Sequence, residues 1–344
     1  MHDKRHISGP LLIVVLVALL VAITLLCICA GSVAIPVQET ISCLWHMLLG
    51  DSIPESIYRT IILSVRLPRV LCVALCGAAL TLCGTAMQGL LRNPLADGST
   101  LGVSAGASLG AVLALAFDLR IPGFPYGGTM IMSMLFAFLS LLLILALAFA
   151  LDRSLSTASI ILIGVIFSMF ASSVTSLVIT FSGERIRSIT FWTLGSLSGS
   201  NMTYAAILAC ALFIFGSMIL LHAREVDALA LGEENALHIG VSVRRVKLIL
   251  LISVSVLIGV CVSVGGTIAF VGLIVPHLTR MVTGPRHTRL FPASLLSGAC
   301  FLLLADLISR TLLSPIELPI GVVTSLVGAV LFILIFYRTR RQHG

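Results

Sequence analysis

Long runs of apolar residues alternate with short polar connections along the whole chain. A bilayer core about 30 Å thick needs roughly 20 apolar residues in a helix to cross it. Runs that approach or exceed that length occupy 11–34, 70–91, 101–117, 129–151, 158–181, 204–221, 248–264, 267–282, 290–309 and 321–337. The pattern predicts an all-α, polytopic membrane protein with about ten transmembrane helices, forming a single transmembrane domain over 1–344. The eighth run is short and contains Pro276. The first follows Lys4 and Arg5 and closes on Gly31-Ser32-Val33-Ala34, as a signal peptide does. Its apolar stretch exceeds the usual signal core, so an uncleaved span is expected.

Ten spans place both termini on one side. With the termini cytoplasmic, the inner connections hold fourteen Lys and Arg residues. The outer ones hold seven, namely Arg59, Arg66, Arg69, Arg120, Arg185, Arg187 and Arg310. This bias supports cytoplasmic termini. Seven outer arginines are still more than that rule leads one to expect.

Composition removes the soluble alternative. Hydrophobic residues make up 58% of the chain and charged residues only 10%. A soluble domain carries about 25% charged residues, and a surface this apolar belongs in lipid. The net charge of +7 is spread singly or in small clusters between apolar runs. With no basic face and no reader motif, nucleic acid is not an expected partner, whereas membrane lipid is. The nine cysteines form no spaced framework and sit mostly inside apolar runs, where free Cys packs as a small hydrophobe. Gly102, Gly106 and Gly110 recur every four residues, which suits close helix packing in lipid. The glycine-rich stretch 98–110 is not a phosphate loop, because no Lys-Ser/Thr follows it.

No HExxH, GxSxG or phosphate-loop motif occurs, so the chain is expected to be no enzyme and to hold no cofactor or metal. Intramembrane ionisable residues, which an ion-coupled secondary transporter would use, are sparse. Asp306 precedes Arg310 by four residues, a spacing that predicts a helical ion pair near the outer end. Energy for transport must then come from a partner. The longest inner connection, 222–247, is polar at its ends, with Ala and Leu at helical spacing on both sides of Gly232 and Gly240 near its close. It predicts two short helices with glycine breaks, lying in the membrane interface or filling a groove on a partner. Asn93-Pro94 reads as a helix stop followed by a turn.

Several motifs then bear a family resemblance. Arg66-Leu-Pro-Arg69, Met87-Gln-Gly-Leu-Leu-Arg-Asn-Pro-Leu-Ala-Asp97 and Leu101-Gly-Val-Ser-Ala-Gly-Ala107 resemble the first half of the iron–siderophore, haem and cobalamin permeases of bacterial ABC importers. Ala228-Leu-Ala-Leu-Gly232, Gly265-Gly266, Phe270-Val-Gly-Leu-Ile-Val-Pro-His277, Leu304-Ala-Asp306 and Glu317-Leu-Pro-Ile-Gly-Val-Val323 follow in that family's order. The resemblance covers nearly the whole chain and is weakest before about residue 64. It implies a protein of the bacterial plasma (inner) membrane. Its partners would be a second permease subunit, identical or paralogous, two cytoplasmic ATPase subunits and an extracytoplasmic ligand-binding protein. It implies ATPase coupling through Leu229, Leu231 and Gly232. It places a cytoplasmic gate at Asn93, Leu95, Thr157 and Ala158, with Ala158 standing where the family often has a hydroxyl. It assigns docking of the binding protein to Arg66, Arg69 and Arg310. Ferric siderophore is the expected cargo, with haem or cobalamin as the alternative.

Overall fold

In lipid every backbone N–H and C=O must be satisfied within the protein, so long apolar segments become helices. The computed structural model describes residues 9–31, 35–49, 57–119, 121–122, 127–152 and 156–341. The chain begins with α1 (Gly9–Cys29), α2 (Val37–Leu49) and α3 (Ile57–Thr60). α3 continues through a π-helical turn, Ile61–Arg66, into α4 (Leu67–Leu90). A 3₁₀ turn at Gly98–Leu101 leads to α5 (Val103–Ala116), α6 (Gly127–Leu151), α7 (Thr157–Phe181) and α8 (Ile186–Thr193). Next comes α9 (Met202–Ala211), joined by a second π turn, Leu212–Gly216, to α10 (Ser217–Leu221). The remainder comprises α11 (Ala223–Ala230), α12 (Glu233–His238), α13 (Val243–Gly265), α14 (Val271–Thr283), α15 (His287–Thr311) and α16 (Ile320–Arg341).

All ten predicted runs coincide with helices. Among the described residues, seven helical stretches are long and apolar enough to cross a membrane. The short α5 and α14, and α16 with its apolar part Ile320–Leu334, account for the other three runs. The second span starts earlier than expected. It runs unbroken through 58–90, so Arg66 and Arg69 lie inside a helix and not in the connection before it. Proline has no N–H to give the turn before it, and the π turn ending at Arg66 widens the helix just ahead of Pro68. Two short helices, α2 and α8, were not anticipated. Lys4, Arg5, Arg120 and Arg153 of the charge count, and Ser32 to Ala34 of the signal-like pattern, lie outside the described residues.

α4 is the centre of the bundle. Its most apolar stretch is 78% buried, against 17% for α1 at the periphery. Glycines set the close approaches that lipid cannot drive. A Cβ on Gly77 would overlap the Gly298 carbonyl of α15, and one on Gly298 would overlap the Gly77 carbonyl. Gly84 meets the backbone of Gly272 on α14 in the same way. Gly106 and Gly110 bring α5 against Ser140 and Met132 of α6. Gly102 stands apart from these two. It precedes α5 with φ 79° and packs on Gly164 and Phe167 of α7. α14 likewise starts after a left-handed residue, Phe270 with φ 68°. The non-helical segments before α5 and α14 converge beside α4, where Asp97, Gly98, Thr267 and Gly272 line one cavity of about 140 Å³.

Candidate functional site

Three regions hold the residues singled out by sequence. At one end of the bundle, Arg66, Arg69 and Arg310 are all buried. α1 ends there with carbonyls that have no helical partner, and two arginines supply one. Arg66 donates from Nη1 to the Ile28 and Cys29 carbonyls, the latter at 2.8 Å. Arg310 donates to Cys27 O at 3.1 Å and Ala30 O at 3.4 Å. Cations suit this end of a helix dipole. Arg69 joins Asp306 to Glu317. Its Nε and Nη2 lie 3.0 Å from Asp306 Oδ1, and its Nη1 lies 2.9 Å from Glu317 Oε2. Arg310 Nε stands 2.9 Å from Asp306 Oδ2, an ion pair by distance with an angle too poor for a hydrogen bond. The arginines are therefore held by the chain's own carbonyls and carboxylates, and the expected Asp306–Arg310 pair is among these contacts.

This end also accounts for much of the outer arginine excess. Arg185 donates to Ala116 O at 2.7 Å and pairs with Asp118 at 3.4 Å, closing the end of α5. Arg187 lies over the Phe191 ring, 5.8 Å from its centroid. The sequence signal was present in the surplus itself. Its partners were hidden because helix-end carbonyls leave no trace in side-chain patterns.

At the opposite end, α11 and α12 fill the long connection and are separated by Gly232, whose φ of 122° strains any other residue. The three expected coupling residues do not face one way. Leu229 is 1% exposed and packs into the protein's own core, so it is not available to a partner, whereas Leu231 is 75% exposed. Leu237 and Ile239 are exposed as well, and sequence reasoning passed over both. Asn235 Nδ2 donates to Leu231 O at 2.8 Å across the Gly232 turn.

The expected gate residues lie on two elements. Asn93 accepts from Leu95 N at 2.9 Å and closes the turn after α4, while Arg92 before it has φ 48°. Asn93, Leu95 and Ala158 are exposed; the Thr157 side chain lies outside the described residues. Ala158 begins an exposed stripe on α7 that continues through Leu162, Val165 and Met169 to Ser173, Ser176 and Thr180. Ser173, Ser176 and Thr180 each donate to the carbonyl four residues back. Among the described residues no group of three His, Cys, Asp or Glu side chains is placed to hold a metal ion.

The profile of the FecCD transport family matches residues 19–338. The uncharacterised ABC transporter permease protein YvrB of Bacillus subtilis is 43% identical over 317 residues, 91% of this chain and 90% of that protein. The hemin transport system permease protein HmuU of Yersinia pestis is 38% identical over 308 residues, 88% and 89% of the two chains. A solved structure described as an inward-facing conformation of a putative metal-chelate type ABC transporter superposes with a TM-score of 0.84. It is 32% identical and is matched over 96% of this chain and 99% of its own. Other relatives are named for cobalamin, molybdate and ferric dicitrate import. The chain belongs to the FecCD transport family: it is the permease subunit of an ABC importer, a multi-pass protein of the bacterial inner membrane whose ATPase is a separate chain.

Proposed function

We propose that this permease carries a ferric siderophore, a metal ion that arrives inside its own ligand shell. The observation that carries this reading is the α7 stripe. It is exposed along the whole helix, apolar near Ala158 and hydroxylic at Ser173, Ser176 and Thr180, with no charged residue on it. Acyl chains gain nothing from hydroxyls, whereas a wet central path between two permease subunits tolerates them. A bare cation would need carboxylates along such a wall. A chelate needs only a broad neutral surface, and its selection falls to the binding protein. The test is uptake into vesicles containing the permease, its ATPase and its binding protein, using labelled ferric siderophore, haem and cobalamin in parallel. Ferric siderophore uptake supports the reading, while uptake of haem or cobalamin alone replaces it.

The same proposal covers the partner surfaces. The ATPase binds the 228–241 loop through Leu231, Leu237 and Ile239, with Gly232 setting the turn between its helices. Gly232→Trp is expected to abolish ATPase co-purification. Asn93, Leu95, Thr157 and Ala158 form the inner mouth. The binding protein docks over the outer cluster, which holds three arginines and two carboxylates: Arg69 and Arg310 pair with Asp306 and Glu317, and Arg66 bonds to the end of α1. That leaves a positive surplus for an acidic partner.

A further inference from the structure

The loop assigned to the ATPase is fastened to the bundle at two points. At the first, Asp227 Oδ1 of α11 lies 2.7 Å from the backbone N of His287 and 2.7 Å from its Nδ1. Arg286, which precedes α15, supplies no side-chain cap. A carboxylate from another helix therefore takes the place of the missing cap and meets the positive end of the α15 dipole. Two donors on one carboxylate oxygen require the proton on Nδ1. The buried Nε2 has no hydrogen-bond partner among the described residues. It lies over Gly89 at the end of α4, where a Cβ would overlap both Nε2 and Val226 of α11. The His287 ring is held edge-on by Phe291, with centroids 5.2 Å apart. At the second point, Lys247 at the start of α13, itself buried, donates to Glu233 Oε2 of α12 at 2.7 Å.

α4 and α15 are joined at three levels. His287 meets Gly89 at the inner end, Gly77 meets Gly298 midway, and Arg69 meets Asp306 at the outer end. A push on the inner end of α15 cannot be absorbed by sliding over α4, because the crossing glycines leave no slack. α4 in turn leads directly into Asn93 and Leu95.

We propose that Asp227 is the positioning residue that couples the ATPase to the gate. It grips the N-terminus of α15 and, through His287, the end of α4, so that movement of the loop moves both helices and the turn bearing Leu95. This inference rests on the reading of 228–241 as the ATPase contact.

The experiment reads the gate without needing the cargo. Leu95→Cys is introduced into a Cys210→Ser background, and the permease–ATPase complex is reconstituted. Labelling by a membrane-impermeant maleimide is compared without nucleotide and with ATP plus vanadate. With Asp227 in place the two rates differ. In Asp227→Ala the complex still hydrolyses ATP, but the ratio of the two rates falls roughly two- to thirtyfold. Asp227→Glu restores part of it. If Asp227→Ala does not assemble, His287→Phe, which keeps a ring and loses the Nδ1 bond, is read in the same way. A ratio that survives both substitutions overturns the proposal, as does a parent complex whose Leu95→Cys labelling ignores nucleotide. A distinct result, Gly232→Trp retaining the ATPase at parental affinity, shows that the ATPase docks elsewhere and removes the reading beneath it.

Discussion

Asp306 and Glu317 both face Arg69, yet their burial separates what each contributes. Asp306 is wholly buried and serves two arginines; the Glu317 side chain is 44% exposed. Removing one partner from a buried ion pair leaves a charge uncompensated, at a cost of about 3–5 kcal/mol. An exposed pair is worth about 0–1 kcal/mol, because water screens it. Asp306→Asn is therefore expected to lower the melting temperature of the purified permease sharply, and Glu317→Gln to change it little. Equal losses for the two would contradict this account. At this scale the sequence was partly readable. The Asp306–Arg310 pair follows from helical spacing alone. The Arg69–Asp306 bond does not, because 237 residues separate the partners and no local pattern joins them. The burial of Leu229 was hidden for a related reason: a motif shared with a family marks the loop but not which of its side chains turn inward.

The helices show how far periodicity reaches. Long apolar runs are legible because lipid permits few other structures. Their edges are not, as Arg66-Leu-Pro-Arg69 demonstrates. Charge and proline there suggested a connection, and a π turn ending at Arg66 carries the helix through it. α2 and α8 were missed because they are too short for the span criterion. α11 and α12 were found because glycine marks their break. The α4–α15 crossing yields a prediction of its own. A side chain at Gly298 would overlap the Thr81 side chain and the backbone carbonyl of Gly77, whereas a Cβ on Gly259 would overlap a single side-chain atom, the Ala137 Cβ at 2.8 Å. Gly298→Val is expected to prevent a monodisperse permease from being recovered in detergent, and Gly259→Ala to allow it. Recovery of both in equal yield would show that the two helices can part without loss.

For the molecule as a whole, the family was legible from motif order and the helical, multi-span architecture from the apolar runs, while the intrachain partners of Arg66 and Arg69 were not. The capping of α1 has a consequence for how the protein is made. The carbonyl of Cys27 receives its bond from Arg310, 283 residues later in the chain. Cys27 itself is buried, with its thiol 3.5 Å from Leu303 O of α15. A ribosome delivers α1 to the membrane long before either partner exists. The first span must then wait in lipid, its last turn capped by Arg66 alone and without the bonds from Arg310, while most of the bundle is built. A chain stopped before α15 is expected to insert α1 yet leave Cys27 open to a small thiol reagent that the full-length protein excludes. Protection of Cys27 in the shortened chain would mean that α1 docks early and unaided. On the present geometry, the helix that is born first is among the last to be moored.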